Sequence, residues 1–170
     1  MFGGLVVEET DKDVKANTCN ELYNVAASDK NIIFTKIENK GDIPLKRACH
    51  VACAIDPQCM FVFGGYYDNK SRLNDVVYLR ISQSSEYKWE RPPKHPPVTD
   101  PPKNEKSPIG APEPRADASC CLLGNKVYIF GGYGGINYQR KNFNDLYSYD
   151  YTENVWAKIE YESMNWLLKR

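Results

Sequence analysis

Phe61-Val62-Phe63-Gly64-Gly65 is the stretch that decides the fold, because it is one part of a longer pattern that the chain repeats. Arg47 precedes this stretch, and Asn74-Asp75 and Trp89 follow it. The same markers recur downstream, in the same order and 67 to 70 residues later, as Arg115, Tyr128-Ile129-Phe130-Gly131-Gly132, Asn144-Asp145 and Trp156. Four classes of marker that keep their order and spacing define an internal repeat.

A further, less regular copy opens the chain. It contains Phe2-Gly3-Gly4, then Asn20-Glu21-Leu22-Tyr23, and it has Phe34 at the position of the tryptophan. The two later copies also differ at one marker, since the middle copy has His50 where the last has Ala118. The pattern therefore covers nearly the whole chain, with two regular copies and one degenerate copy.

Each copy reads as four short β-strands. In the middle copy, residues 51–55 and 60–63 are apolar runs separated by Asp56-Pro57, which is a turn pair. Residues 76–79 and 87–90 supply the third and fourth strands, and the double glycine is expected to end the second. No stretch shows a long apolar period of 3.6 residues, so few helices are expected. Four antiparallel strands repeated radially predict the blades of a β-propeller.

The markers resemble the kelch repeat, which combines Arg-x-x-His, an apolar strand ending in Gly-Gly, Asn-Asp-x-Tyr and a spaced Trp. The resemblance implies an all-β fold, namely a segment of a kelch-type β-propeller built from four-stranded antiparallel blades. The repeat exceeds the roughly 50 residues typical of kelch, so enlarged loops are expected. It divides the chain into a partial blade (1–46), a blade (47–91), a proline-rich connecting loop (92–114), a further blade (115–160) and a C-terminal tail (161–170).

About two and a half blades cannot close a propeller, which takes about four to eight. Blades left at the ends of such a segment would expose sheet surface that promotes association. We therefore expect the missing blades to come from the rest of a longer chain or from self-association.

The composition predicts a packed β domain with no attraction to polyanions. Apolar residues make up 42% of the chain and aromatic residues 12%, and 22 Lys and Arg balance 22 Asp and Glu. A neutral chain has no global electrostatic pull toward nucleic acid or an anionic membrane. No apolar run approaches the roughly 20 residues of a membrane span. Neither nucleic acid nor a membrane is expected as a partner.

Six cysteines point to reduced thiols rather than to a metal site: Cys19, Cys49, Cys53, Cys59, Cys120 and Cys121. No Cys-x-x-Cys pair is present, so zinc at the cluster around Cys49 and His50 is not expected. Aligning the two arginines places Cys53 opposite Cys121 in the first strand of a blade, where a small apolar side chain fits near the axis. Reduced thiols favour a cytoplasmic location. No metal and no cofactor are expected.

The sequence offers no constellation that predicts catalysis. His50 and His95 are the only histidines, and His50 occupies a marker position of the repeat, where a structural role between blades is favoured. No second motif places a serine or an aspartate beside either histidine, so a Ser-His-Asp triad is not predicted. The glycines of residues 131–135 follow a strand and do not lead into a helix, so they match no phosphate-binding pattern. Copper radical oxidases with kelch-like propellers need several His and Tyr ligands around one axis, and this chain has two histidines, one of them at a marker position of the repeat. We predict no catalytic residue and no enzymatic activity.

Topology predicts where a partner would bind. Successive strands are antiparallel, so the loop between the second and third strands and the connection to the next blade open on one common face. Variable loops on a rigid scaffold usually carry recognition, and Tyr and Arg are enriched at interface hot spots. The predicted partner-binding residues are Tyr66, Tyr67, Arg72, Tyr133, Tyr138, Arg140 and Lys141. The alternative is that these polar loops are only solvated.

The connection of residues 92–114 holds nine of the eleven prolines. It reads either as a disordered insertion or as a docking segment, with Ser107-Pro108 as a proline-directed phosphosite. The predicted function is that of a protein-interaction scaffold without catalysis of its own. The alternative is a regulatory or substrate-recognition propeller of a multidomain enzyme, because Gly41-Asp42-Ile43-Pro44 before Arg47 resembles kelch domains fused to serine/threonine phosphatases.

Overall fold

The computed structural model describes residues 1–10, 13–93, 95, 98, 100, 110–135 and 140–160. In these ranges all regular secondary structure is β-strand, and no helix is present that could cross a membrane. The strands are β1 (Leu5–Thr10), β2 (Asp13–Thr18), β3 (Leu22–Ala27), β4 (Ile32–Ile37), β5 (Val51–Asp56), β6 (Cys59–Tyr66), β7 (Arg72–Ile81), β8 (Tyr87–Glu90), β9 (Arg115–Ala116), β10 (Ser119–Leu123), β11 (Lys126–Phe130), β12 (Tyr133–Gly134), β13 (Lys141–Asn142), β14 (Leu146–Asp150) and β15 (Val155–Ile159).

Two copies of the repeat form four-stranded antiparallel sheets, which confirms the predicted blades. The second blade is the sheet β5-β6-β7-β8, and the third blade is β10-β11-β14-β15. In each sheet the strands pair in chain order, which is the meander expected of a propeller blade. A small sheet of β9, β12 and β13 extends the third blade at the end of β11.

The first blade is represented by β3 and β4, which pair as a hairpin. Phe2 forms an isolated antiparallel bridge with Leu22, so the first residues of the chain lie where β6 and β11 lie in the other blades. The loop between this position and β3 is enlarged by a second hairpin, β1-β2, which the sequence reading did not predict.

Strand register confirms which residues are equivalent in the three copies. Trp89 pairs with Leu79, and Trp156 pairs with Tyr149. In the first blade Phe34 pairs with Val25, and in all three cases the partner lies five residues after the Asn of the repeat. Phe34 therefore occupies the position of the tryptophan.

The described residues form two core clusters, and the second blade contributes one face to each. Val62 and Val77 pack with residues of the first blade, including Phe2 and Leu22. The alternate residues of the same strands pack against the third blade, in a cluster that contains Phe61, Phe63, Val76, Tyr78, Val127, Ile129, Tyr149 and Trp156. Because side chains alternate between the faces of a strand, the second blade is buried on both faces.

In the first and second blades, the aromatic residue before the double glycine packs on the tryptophan of the next blade. The ring centroids of Phe2 and Trp89 are 4.5 Å apart, and those of Phe63 and Trp156 are 5.0 Å apart. Offset and tilted contacts at this separation are favourable beyond the area that they bury. The repeat thus encodes the contact between blades as well as the blade itself.

In the first and second blades, the first glycine of the pair is required by the neighbouring blade. Gly64 has φ of 65°, and a Cβ there would lie 2.7 Å from the carbonyl oxygen of Arg115 in the third blade. Gly3 has the same relation to Arg47, at 2.6 Å. The second strand was expected to end at the glycines, but β6 continues through Gly64 and Gly65 to Tyr66, with an irregularity in its pairing with β7. Glycine can continue a strand in such a conformation because it has no side chain to clash.

A buried arginine closes each complete blade. The guanidinium of Arg47 donates two 2.9 Å hydrogen bonds to the carboxylate of Asp75 and a third to the carbonyl of Gly64. Arg115 does the same with Asp145, at 2.6 and 3.2 Å, and with Gly131. A planar guanidinium suits this combination because its donors diverge in a fixed fork. These contacts hold the residues that precede the first strand of the blade against the double glycine.

Candidate functional site

The loops predicted to share one face contact one another. The hydroxyl of Tyr67, after β6, donates a 2.5 Å hydrogen bond to Asp100, which lies in the connection between the second and third blades. The hydroxyl of Thr18, at the end of β2, donates to the carbonyl of Tyr67 at 2.8 Å. The loops between the second and third strands of two blades and the long connection therefore meet on the same side of the molecule.

Arg72 is the centre of the surface formed there. Its guanidinium carbon lies 4.5 Å from the ring centroid of Tyr66 and 5.9 Å from that of Tyr133, so it is flanked by one aromatic ring from each of two blades. The guanidinium also donates to the carbonyls of Asp68 and Ser71, at 2.8 and 3.2 Å. Cation–π contacts with two rings fix the side chain of a residue that would otherwise be mobile.

Arg140 joins the same surface from the third blade. Its guanidinium donates a hydrogen bond to the carbonyl of Asn69, whose side chain accepts a 2.7 Å hydrogen bond from the Tyr66 hydroxyl. Burial and the neighbouring charge of Arg140 lower the pKa of Arg72. We call Tyr66, Arg72, Tyr133 and Arg140 the Tyr–Arg cluster. It places two positive charges and two aromatic rings side by side across the junction of two blades.

The other three predicted residues are placed differently. Tyr67 is buried, with 8% of its surface exposed, and its contacts with Asp100 and Thr18 tie loops together. The hydrogen bond with Asp100 and burial raise its pKa to about 12. Lys141 is exposed and pairs with Glu113 at 2.9 Å. Tyr138 lies outside the described residues.

Two residues beside the cluster were missed by the sequence reading. Cys49 and Asp117 hold equivalent positions two residues after the repeat arginines, and both have positive φ, 54° and 57°. The amide of Asp117 donates to the carbonyl of Cys49 at 3.0 Å, which links the two blades. Burial and a hydrogen bond with Asp117 raise the pKa of the Cys49 thiol. Positive φ is uncommon at residues other than glycine, and no residue pattern in the sequence predicts it at these two positions.

The histidines lie at two different blade interfaces. His50 packs 5.5 Å from the ring of Phe2, and burial together with the charge of Arg47 lowers its pKa to about 4. His95 packs edge-on against Tyr149 at 5.9 Å, and burial lowers its pKa as well. Both are therefore neutral at pH 7 and act as packing groups. Among the residues with described positions, no three His, Cys, Asp or Glu side chains are arranged to hold a metal ion.

Comparison with known proteins gives one consistent family. The family model described as "KLHDC2/KLHL20/DRC7 Kelch-repeats domain" matches residues 1–166. The chain is 34% identical over 135 residues to "Dynein alpha chain, flagellar outer arm" of Chlamydomonas reinhardtii, a match that covers 79% of this chain and 2% of that one. It is 34% identical over 113 residues to human "Host cell factor 1", covering 64% of this chain and 5% of the relative.

A fungal relative and a solved structure extend the comparison. "Tip elongation aberrant protein 1" of Schizosaccharomyces pombe is 32% identical over 154 residues, which are 88% of this chain and 11% of that protein. A solved structure described as "Structure of YjhT" aligns with a TM-score of 0.48 and 22% identity over 72% of this chain and 29% of that one. The chain thus spans only a small part of the length of the curated relatives it matches.

Proposed function

This chain belongs to the kelch-repeat family, and from that premise we propose that it is a protein-interaction scaffold that binds its partner through the Tyr–Arg cluster. Kelch-repeat domains are generally protein-interaction modules. The proposal adds to this general role a particular surface, the face on which the loops of the second and third blades meet.

One observation carries the proposal: the Arg72 side chain is held between rings from two blades. The strands that supply Tyr66 and Tyr133, β6 and β12, are separate in sequence, but both rings lie beside Arg72. Tyr and Arg that are already fixed lose little conformational freedom when a partner binds, which favours affinity. Side chains of a loop that only faces solvent are not expected to be fixed in this way between two blades.

The chemistry of the cluster defines the partner segment that suits it. Arg72 and Arg140 offer guanidinium donors, and the two rings offer flat amphipathic surface next to them. The complementary segment presents carboxylate or carbonyl oxygens to the guanidiniums and a flat or apolar group to the rings. The chain itself carries no net charge, so this local arrangement provides the selectivity.

Further blades complete the propeller in this proposal, supplied by more of the same chain or by a second copy. The outer faces of the first and third blades support it, because they expose apolar side chains at positions that the second blade buries. Phe34 is 55% exposed and Phe130 is 50% exposed, whereas their equivalents Trp89 and Phe63 are 0% and 1% exposed. In this proposal the chain has no catalytic activity of its own and acts in the cytoplasm.

The test is affinity capture with matched arginine variants of one strand. Arg72 and Arg80 both lie on β7 and both contact a tyrosine ring, but Arg80 lies at the opposite end of the strand, over Tyr78 at 5.6 Å. The double variant Arg72→Ala with Tyr133→Ala should release partners that wild type and Arg80→Ala both retain. A central Tyr or Arg contributes about 2 kcal/mol to binding, or about thirtyfold in affinity.

The captured proteins are identified by mass spectrometry and compared between the three samples. Melting temperatures of the variants separate loss of binding from loss of folding. Equal capture by all three folded proteins would mean that partners use another surface, and the proposed site would be wrong.

The alternative function is a regulatory or substrate-recognition propeller inside a multidomain enzyme such as a kelch-containing serine/threonine phosphatase. One observation favours a multidomain setting, since the chain matches only 2% to 11% of the lengths of the relatives described above. The other domains encoded in the same open reading frame distinguish the scaffold from the enzyme-associated propeller. A phosphatase domain in it would support the alternative, and further kelch, BTB or coiled-coil segments would support the scaffold.

A further inference from the structure

Two cysteines meet across the interface between the second and third blades. Cys53 lies on β5 and Cys120 on β10, the first strands of their blades, and their side chains are neighbours across the interface. The Cys120 thiol also donates to the carbonyl of Ala52 at 3.7 Å. Both cysteines pack against the hydrophobic cluster between the blades, yet each keeps part of its surface exposed.

The alternation of strand residues makes this pairing specific. Cys121 is the register equivalent of Cys53, because each lies opposite the second residue before the Phe of its Phe-Gly-Gly. Equivalent residues face the same way in every blade, so Cys121 points away from the second blade and is exposed. Cys120, one residue earlier, points back toward Cys53. The contact therefore joins residues that the repeat alignment does not match.

The two thiols have unequal acidities. The neighbouring Cys53 thiol lowers the pKa of Cys120, whereas Cys120 and burial raise the pKa of Cys53. The thiolate is the form of a cysteine that reacts with disulfides, so a lowered pKa makes Cys120 the attacking thiol of the pair and Cys53 the second thiol. Such a pair combines a reactive cysteine with a neighbouring one that can complete a disulfide.

We propose that Cys53 and Cys120 form a reversible disulfide between blades, made by exchange with a low-molecular-weight disulfide such as oxidised glutathione. The Cys120 thiolate attacks one sulfur of glutathione disulfide, forms a mixed disulfide and releases one glutathione thiolate. Cys53 then loses its proton, attacks the Cys120 sulfur and releases the second glutathione thiolate, which is protonated. The two protein thiols are oxidised, and one glutathione disulfide is reduced to two glutathione thiols.

The cross-link has a defined structural consequence. It ties the second blade, which carries Tyr66 and Arg72, to the third blade, which carries Tyr133 and Arg140. All six cysteines are free thiols in the structure, so the reduced state is the one described. Oxidation thus fixes the blade junction on which the Tyr–Arg cluster is built, although the cross-link itself does not depend on any partner.

The experiment compares Cys121→Ser with Cys120→Ser in the full chain. Both variants retain five thiols, but only Cys121→Ser retains the Cys53–Cys120 pair. Each folded protein is incubated with glutathione disulfide at pH 7, alkylated, digested without reduction and analysed by mass spectrometry. We expect a peptide pair joined through Cys53 and Cys120 in wild type and in Cys121→Ser, and we expect dithiothreitol to release it.

Cys120→Ser should lose the link to Cys53, because Cys121 points to the other side of β10. Circular dichroism of each variant confirms that the comparison is made on folded protein. A link between Cys53 and Cys121 in Cys120→Ser at the wild-type rate would overturn the proposal. So would glutathione that stays on Cys120 without transfer to Cys53, and so would a Cys53–Cys120 link that forms only after the protein is unfolded in urea.

Discussion

The second and third blades share one repeat and one strand order, but they differ in what covers them. Phe63 and Phe130 both precede a double glycine, yet Phe63 is 1% exposed and Phe130 is 50% exposed. Trp156 of the third blade covers Phe63, while no described residue performs that role for Phe130. The strands of a blade form without a second neighbour, but the burial of its outer face requires one.

The glycines show the same difference at the backbone. A Cβ at Gly64 would clash with the carbonyl of Arg115, at 2.7 Å, because the third blade approaches so closely. At the equivalent Gly131 the nearest atom is the carbonyl of Phe143, at 3.2 Å and within the same blade. The repeat keeps its glycine pair in both places, although only the second blade has a described neighbour that demands it.

The largest expected difference in stability is between alanine replacements of Phe63 and of Phe130. Phe63→Ala should lower the free energy of unfolding by about 4 kcal/mol, because it removes a fully buried ring and leaves a cavity against Trp156. Phe130→Ala should cost less than about 1 kcal/mol, since half of its ring already faces solvent. Urea denaturation followed by tryptophan fluorescence measures both. Equal losses would show that the third blade is covered in solution.

The buried ion pairs give the next largest difference. Asp75 has 4% of its side chain exposed, and although burial raises its pKa, Arg47 and Arg91 lower it further, so the carboxylate is charged at pH 7. Asp75→Asn leaves buried guanidinium charge unpaired and should cost about 3 kcal/mol. Asp145→Asn should cost about 1 kcal/mol, because its side chain is 21% exposed and water can replace it.

The measurement is the urea midpoint of each variant at pH 7, with the slope of the transition checked for constancy. A greater loss in Asp145→Asn than in Asp75→Asn would mean that burial does not set the strength of these pairs.

His50 provides a pH test of the interface between the first and second blades. Its pKa is about 4 when folded, against 6.5 for an unperturbed histidine, so the unfolded chain binds more protons between these values. Stability should therefore fall as the pH drops, by about 2 kcal/mol between pH 7 and pH 5. His50→Ala, which copies Ala118 of the third blade, should reduce this dependence. His95, whose pKa is also lowered, accounts for part of the remainder.

Urea midpoints of wild type and His50→Ala at pH 7 and pH 5 measure how much of the pH dependence of stability comes from His50. The carboxylate of Asp75 does not contribute in this window, because its lowered pKa places its titration below 3.8. A pH dependence unchanged by His50→Ala would contradict the assignment.

The smallest effect on stability, and a clear effect on association, should come from the uncovered faces. Phe34 is 55% exposed and Phe130 is 50% exposed, so replacing each with Ser should change stability by no more than about 0.5 kcal/mol, and replacing both by less than about 1 kcal/mol. The 170-residue chain is expected to self-associate through these faces, and the double variant should do so less. Light scattering over a concentration series measures this. A wild-type chain that stays monomeric at all concentrations would remove the basis for the expectation.

Much of the fold followed from the sequence because its signals are local. Val62 and Phe63 are apolar residues of a strand, Gly64 permits a positive φ, and a tryptophan recurs at a fixed distance, so the four strands of each complete blade and their order could be predicted. The β1-β2 hairpin could not, because its strands pair only with each other and carry no marker of the repeat.

The candidate site was predictable only as a set of residue types on one face. Loop topology and the enrichment of Tyr and Arg selected seven residues, and the structure brings four of them into one cluster. Tyr67 reads like Tyr66 in the sequence, but it is buried because Asp100 and Thr18 lie beside it. Partners that distant in sequence are fixed by packing and leave no trace in the local pattern.

The sequence by itself determined the blade: its four strands, its glycine pair and its Arg, Asp and Trp positions, because each of these follows from backbone geometry or periodic burial within one repeat. Tertiary structure alone decided what lies between blades. It selected Cys120 rather than its neighbour Cys121 as the partner of Cys53, and it placed Arg72 between two rings. The physical reason is that contacts between blades depend on the angle and distance at which one sheet packs on the next, and those are set by the whole interface.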